Sequence, residues 1–244
     1  MSLHIVMLDP PKGSPPRRLN QNAVKWLAAG LMVVDHIGVV FFPQTLLLRY
    51  LGRLSFPLFS WLLGQGEQHT RNVYRYGLRL LAFGLLSQPI YSALFNAYQL
   101  NVLFTLLVGL ITLRLGRLFP QIHYLIWPLG VLVAALIPMD GSGYGVAIML
   151  LLAQPITVRW WVAWVALHGL LAASGGVLPM QLWAIPAPLI VMVASSAGQS
   201  VPPAKTHPEK LEPEPPKPGG FRARWFYWFY PGHLLMLWLF RQMA

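Results

Sequence analysis

The chain reads as an all-α, polytopic integral membrane bundle of about nine transmembrane spans with a cytoplasmic N-terminus. Three observations predict this. Long apolar runs recur along the chain, and AVILMFWYC residues make up 56% of it. Charged residues are only 10%, against about 25% in soluble domains. The Lys and Arg that remain collect on one side of the alternating runs.

The first run, 23–42, has about 20 residues. At about 1.5 Å per residue, that length crosses a hydrocarbon core of roughly 30 Å. Further spans are predicted over 46–65, 75–95, 100–118, 122–138, 143–158, 160–174, 179–198 and 225–241. The sixth and seventh are short and could be one broken element. Residues 1–22 are polar, Pro-rich and basic. With so long a first run and no obvious cleavage site, they read as a cytoplasmic tail and not a cleaved signal. The membrane bundle then occupies 23–198, a Pro-rich cytoplasmic loop 199–224, and the last span of the same bundle 225–244. Pro density and mixed charge make 199–224 a linker and not a folded domain.

With the N-terminus inside and alternating spans, the inner segments hold Lys12, Arg17, Arg18, Lys25, Arg71, Arg75, Arg79, Arg114, Arg117, Arg159, Lys205, Lys210, Lys217, Arg222 and Arg224. These are 15 of the 18 basic residues, and the outer connections 96–99, 139–142 and 175–178 have none. The net charge of +11 is therefore a topology signal of the positive-inside kind and not a nucleic-acid footprint. Lipid headgroups are its secondary partner. Ten Trp and nine Tyr suit anchoring at the headgroup level. The absence of Cys excludes disulfides, thiolate metal ligands and a cysteine acyl-enzyme.

Ionisable groups at membrane depth cost about 2.5–3.5 kcal/mol each on insertion scales, so they are rarely idle. Asp35 and His36 lie inside the first span. His36 is six residues from its outer end, about 9 Å inward. Adjacent helical residues point about 100° apart, so Asp35 and His36 cannot form a dyad within one helix. The expectation is that Asp35 pairs with Arg53 or Arg49 of the second span, while His36 faces a cavity. A neutral imidazole suits a general base. A structural ion pair beside a hydrogen-bonded histidine explains the same residues equally well. Arg53 precedes Pro57, which is expected to bend the second span. Arg53 could stabilise an oxyanion or snorkel to lipid phosphate. Asn101 and Asp140 sit at the outer ends of the fourth and fifth spans. Tyr230-Pro-Gly-His233 is expected to interrupt the ninth span and leaves His233 deep. His123 and His168 read as interface or core residues, and His69 as solvated.

Arg71, Arg75 and Arg79 recur every four residues at the inner start of the third span, with Asn72 and Tyr76 interleaved. Arg114 and Arg117 end the fourth span on the same side. Such a basic mouth would suit donor phosphates, or topology and anionic lipid alone. Several motifs fail. Asp140-Gly-Ser-Gly-Tyr-Gly145 lacks the strand and Lys of a phosphate loop. There is no GxSxG elbow, and His and Asp are too scattered for a metal site.

The segment Lys25-Trp-Leu-Ala-Ala-Gly-Leu-Met-Val-Val-Asp-His-Ile-Gly38 resembles the opening of the TraX family of conjugal-transfer membrane proteins. The likeness continues through Gly52-Arg-Leu-Ser-Phe-Pro-Leu-Phe59, Thr70-Arg-Asn72 with Tyr76, Asn101-Val-Leu-Phe-Thr105, Asp140–Gly145 and Tyr230-Pro-Gly-His233. The 199–224 loop looks like an insertion outside that pattern. The resemblance implies a multi-pass acyltransferase of the bacterial inner membrane. The family's namesake is associated with N-terminal acetylation of conjugative pilin. The family is distantly similar to acyltransferase-3 membrane enzymes, which use a His in the first spanning helix to acylate cell-surface carbohydrate.

The resulting expectation has no bound cofactor and no metal, with acetyl-CoA as donor co-substrate. Its phosphates dock at Arg71, Asn72, Arg75 and Arg79. His36 is the catalytic base, supported by Arg53 and Asp35. Asn101, Asp140, Tyr144 and His233 contact substrate, and Asn101 assists Arg53 at the oxyanion. The acceptor is a protein N-terminus or a cell-surface glycan on the outer side. Nucleic acid is not a partner. A proton-coupled transporter or exporter, with its buried relay groups, and a noncatalytic membrane assembly protein are the competing classes. No repeated halves of the transporter kind are visible.

Overall fold

The computed structural model describes residues 21–173, 178–196 and 221–243. The basic tail and most of the Pro-rich loop lie outside the described residues. Within them the chain is all-helical, with a single isolated β-bridge, Leu100 to Met139. The helices are α1 (Gln21–Phe41), α2 (Leu46–Gly52), α3 (Ser55–His69), α4 (Val73–Phe95), α5 (Val102–Leu118), α6 (His123–Leu136), α7 (Ser142–Leu152), α8 (Val158–Ala173), α9 (Ala187–Ser196) and α10 (Phe221–Met243). A 3-10 segment, Leu178–Ala184, precedes α9.

Two helices, α1 and α4, are long and apolar enough to cross a membrane. Only 28% of each apolar window is buried inside the protein, so neither is an ordinary core helix. The shorter α6 presents Leu125, Leu129, Leu132 and Leu136 outward, each more than half exposed. Trp26, Tyr74 and Tyr124, near the starts of α1, α4 and α6, are exposed at one end, and Tyr98 between α4 and α5 at the other.

The core runs along α5. Leu103, Leu106, Leu110 and Leu113 recur at helical spacing and are all buried. That stripe touches α3, α4, α6 and α7. Small residues let neighbours close on it. A Cβ at Gly109 would meet the Met149 sulfur at 2.3 Å, and one at Gly130 would meet the Thr112 hydroxyl at 2.2 Å. A second cluster joins Leu58 and Trp61 of α3 to Ile148 of α7 and Trp160 and Trp164 of α8.

Three sequence-based expectations change. The second predicted span is two helices, because the chain breaks at Arg53–Leu54. Pro57 falls in the first turn of α3, where its missing N–H leaves no bond unmade. The Pro231-Gly232 pair does not interrupt the last helix, since α10 runs continuously through it. Over 143–173 the chain forms two separate helices, as two spans predict and one broken element does not, but the first is too short. α7 has 11 residues, about 16 Å long and well short of a full crossing.

The connections between α4 and α5 and between α6 and α7 are tied together. Leu100 N–H donates to the Pro138 carbonyl at 3.0 Å, and Asp140 N–H donates to the Leu100 carbonyl at 2.8 Å. This places Asn101 and Asp140 beside each other at one end of the bundle.

Candidate functional site

Helix α1 carries Asp35 on its α2-facing side, and two glycines bring α2 close. A Cβ at Gly38 would stand 2.8 Å from the Leu48 Cβ, and one at Gly52 would stand 2.2 Å from the Asp35 Cβ. The approach delivers two guanidiniums to one carboxylate. Arg53 Nη2 donates to Asp35 Oδ1 and Oδ2, both at 2.7 Å, and Arg49 Nε donates to Oδ1 at 3.1 Å. The expected alternatives, Arg49 or Arg53, are both realised. Ser55 Oγ donates to the Ala28 carbonyl at 2.8 Å and fastens α3 to α1 beside the break. One carboxylate with two guanidiniums leaves a net positive charge there, and it favours any negative charge that develops nearby. Among the described residues, Arg53 Nε is buried without a hydrogen-bond partner.

His36 turns away from Asp35 and meets α10. Its Nδ1 lies 2.9 Å from Nε2 of His233, with the ring planes 9° apart. His233 Nδ1 lies 2.8 Å from the Phe229 carbonyl. Phe95 packs edge-on against His36 at 5.0 Å, and Phe229 stacks on His233 at 5.1 Å. His36 Nε2 makes no hydrogen bond among the described residues. Tyr230 is buried, and its hydroxyl lies against the Val102 backbone.

Asp140 stands beside these groups. It lies in the connection between α6 and α7, and the Thr105 hydroxyl donates to its backbone carbonyl. Gly141 takes φ +88°, a turn that favours glycine. The Asp140 carboxyl faces the Tyr91 phenol and lies within electrostatic reach of Arg53, Asp35 and Arg49. Burial raises its pKa above the ordinary aspartate value, with Asp35 adding to the effect and Arg53 opposing it.

Several of these groups line one cavity of about 1280 Å³, whereas Arg49 and His233 stand behind its lining; it is larger than the roughly 300–1,000 Å³ typical of ligand pockets. Asp35, His36, Arg53, Asp140, Tyr144 and Tyr230 line one part of it; Asn22, Lys25, Thr70, Tyr76 and Arg79 line another. Lys25 and Asp35 are ten residues apart on α1, about 15 Å along its axis. The cavity therefore follows the helix from the basic end of the bundle to the Asp35–His36 region.

Other candidates are placed differently. Asn101 is fully buried and caps α5: its Oδ1 accepts from Leu103 N–H at 3.0 Å, and its Nδ2 donates to the Gly84 carbonyl at 2.8 Å and Gln88 Oε1 at 2.9 Å. Both amide hydrogens are spent, so no donor remains for a substrate. Asn72 is likewise a cap, accepting from Arg75 N–H at 2.9 Å at the start of α4. Arg71 and Arg75 are exposed outside the cavity lining; Arg79 lines it, with its guanidinium over the Tyr227 ring. The Tyr144 hydroxyl bonds His168 Nε2 at 3.1 Å, which holds α7 against α8. His168 is fully buried, as expected. His123 is exposed, and its Nδ1 bonds the Pro120 carbonyl at 2.6 Å, so it is no core residue.

Sequence reasoning missed Glu67. Its carboxylate is fully buried, 2.9 Å from Arg117 Nε and 3.5 Å from Arg114 Nη1. Those two arginines are therefore engaged in holding α3 to α5. The signal was present: Glu67 is one of only seven acidic residues in the chain, and it follows an apolar run. Among the described residues, no three His, Cys, Asp or Glu side chains cluster in a way that could hold a metal ion.

A family model described as TraX protein matches residues 20–241. The chain is 31% identical over 235 residues to a Dichelobacter nodosus protein named "Probable fimbrial assembly protein FimC, serogroup H1", covering 88% of this chain and 92% of that one. It is 29% identical over 90 residues to "Uncharacterized protein RP591" of Rickettsia prowazekii (strain Madrid E), covering 36% of this chain and 34% of that one. No solved structure matches significantly.

Proposed function

The chain belongs to the TraX family, and on that premise we propose that it is a multi-pass acyltransferase of the bacterial inner membrane. It moves an acyl group, acetyl in the simplest case, from a cytosolic acyl-CoA to an amine or hydroxyl acceptor on the outer side. The observation that carries this reading is the cavity that joins Lys25 and Arg79 at the basic end to His36 and Arg53 at the other. The exposed leucines of α6 and the aromatic residues at both ends support the membrane setting and the remaining spans.

In this reading the donor's phosphates stay at the basic mouth, near Lys25 and Arg79, and its thioester reaches along the cavity. The acceptor arrives from the Asp140 end. His36 Nε2 takes the proton from the acceptor nitrogen or oxygen as that atom bonds to the thioester carbon. The carbonyl π electrons move to oxygen, where Arg53 and the net positive charge around Asp35 stabilise the oxyanion. Collapse re-forms the C=O, breaks the C–S bond and expels CoA thiolate, which takes the proton back from His36. Asp35 touches no reacting atom and aims Arg53. The similarity to a Dichelobacter protein named for fimbrial assembly favours a fimbrial subunit as acceptor, through a free N-terminal amine.

The test uses proteoliposomes of the full chain, with labelled acetyl-CoA on the face bearing Lys25 and Arg79 and a peptide with a free N-terminus on the other. Because the chain has no Cys, a thiol reagent reads CoA release without protein background. Label on the peptide supports the proposal. Correctly inserted protein that acylates neither amine nor hydroxyl acceptors rejects it, and favours a noncatalytic assembly role.

A further inference from the structure

We propose that His233 is a positioning residue that fixes the tautomer of His36 and leaves His36 Nε2 as the bare, proton-accepting nitrogen in the cavity. This rests on the acyl-transfer reading for its consequence, but the arrangement itself stands on geometry.

The chain of reasoning starts at a carbonyl. The Phe229 oxygen can only accept, so the 2.8 Å contact requires a hydrogen on His233 Nδ1. In a neutral ring the other nitrogen is then an acceptor, so His233 Nε2 accepts. It lies 2.9 Å from His36 Nδ1, and that contact is a hydrogen bond only if His36 Nδ1 carries the hydrogen. The near-parallel ring planes suit a bond in the plane of both imidazoles. His36 Nε2 is therefore without a proton in the resting pair, and it makes no hydrogen bond among the described residues. Without His233, a neutral imidazole in water favours the opposite tautomer, with the hydrogen on Nε2, which cannot act as a base.

The sequence context supplies the fixed point. His233 sits four residues after Phe229 in α10. In an uninterrupted helix the Phe229 carbonyl would accept from the residue-233 backbone N–H, and a side chain at the same position can lean back on it. When His36 takes a proton during transfer, its Nδ1–H becomes a charge-assisted donor, and the bond to His233 strengthens as the charge develops. The two rings thus form a hydrogen-bonded pair in which neither histidine needs a carboxylate partner.

The test has two readouts on the full chain in lipid nanodiscs. The first is nitrogen NMR with 15N-histidine, taking the His36 signals as those missing in His36→Gln. The proposal expects a protonated Nδ1 and a bare Nε2 at His36 in the wild type. It expects this preference to reverse in His233→Phe, which keeps the ring stack, and to persist in His233→Gln, whose amide oxygen can still accept. The second is the rate of CoA release. A wrong histidine tautomer costs about 10⁴ in kcat in a serine-protease triad. Here the tautomer is disfavoured and not blocked, so His233→Phe should lose about 10- to 100-fold in kcat, with the KM for acetyl-CoA within about twofold. His233→Gln should recover most of that loss. A wild-type His36 protonated at Nε2 overturns the proposal. So does an unaltered rate in His233→Phe, or equal impairment of Phe and Gln variants. The expected tautomers in a wild type that transfers no acyl group would uphold the arrangement while rejecting the acyl-transfer reading.

Discussion

Gly52 and Asp35 occupy space that no larger residue could share: a Cβ on Gly52 would lie 2.2 Å from the Asp35 Cβ and 2.6 Å from its Oδ1. The missing side chain is what lets α2 lie close enough for Arg49 and Arg53 to reach one carboxylate. Gly52→Ala should therefore displace Asp35 and splay both arginines. Overpacking of this kind costs about 1–3 kcal/mol. Thermal unfolding in detergent should show that loss, and CoA release should fall further than the loss of folded protein explains. A fully active Gly52→Ala would mean that the ion pairs do not organise the site.

Asn101 should behave as a structural residue. Asn101→Ala removes the α5 cap, worth about 0.5–2 kcal/mol, and the two Nδ2 hydrogen bonds to the Gly84 carbonyl and Gln88 Oε1, while Gln88 Oε1 keeps the residue-101 backbone N–H. A total loss of about 1–3 kcal/mol is expected once the lost Nδ2 hydrogen bonds are included. The rate per folded molecule should stay near wild type, measured by active-site-independent quantification of folded protein. A selective fall in kcat with unchanged stability would return Asn101 to the oxyanion.

Glu67 makes an asymmetric prediction. Its carboxylate is fully buried, whereas Arg114 and Arg117 keep 45% and 39% of their side-chain surface. Removing both arginines by Arg114→Ala with Arg117→Ala strands a buried charge and should cost about 3–5 kcal/mol. Glu67→Gln leaves two cations that water can reach, so its cost should be smaller. Adding Glu67→Gln to the double arginine variant should recover stability, as double-mutant analysis of the melting curves can show.

The basic mouth separates its arginines by position. Arg79 lines the cavity, and Arg71 and Arg75 stand outside the lining. Arg79→Ala should raise the KM for acetyl-CoA about 3- to 10-fold, the size of one ordinary hydrogen bond of about 0.5–1.5 kcal/mol. Arg71→Ala should move KM less than twofold. Equal effects from both would place the donor phosphates outside the cavity.

The sequence made much of this arrangement legible, for identifiable reasons. Intramembrane charge is rare and must be matched, so Asp35, Arg49 and Arg53 stood out and their pairing followed. Helical geometry alone separated His36 from Asp35. The basic residues that topology left on the outer side, Arg49, Arg53 and Arg241, each have a partner: the first two hold Asp35, and Arg241 Nη1 donates to the Leu94 carbonyl at 2.6 Å, near the end of α4. What stayed hidden depends on contacts across the chain. The His36–His233 bond spans 197 residues, and no periodicity encodes it. Asn101 and Asn72 carried side chains equally suited to substrate or to a helix N-terminus. Only the three-dimensional positions of Leu103, Gly84 and the Arg75 amide decide between those roles. Pro231 was misleading because a proline deletes one hydrogen bond without obliging the helix to stop.

The most direct test of the account is the initial rate of CoA release by His36→Ala, inserted in liposomes at wild-type yield and given acetyl-CoA and an amine-bearing peptide. Loss of a general base predicts a fall of about 10²–10⁴-fold, with partial recovery when free imidazole is added to fill the vacated space. A His36→Ala protein that releases CoA at the wild-type rate would contradict the account.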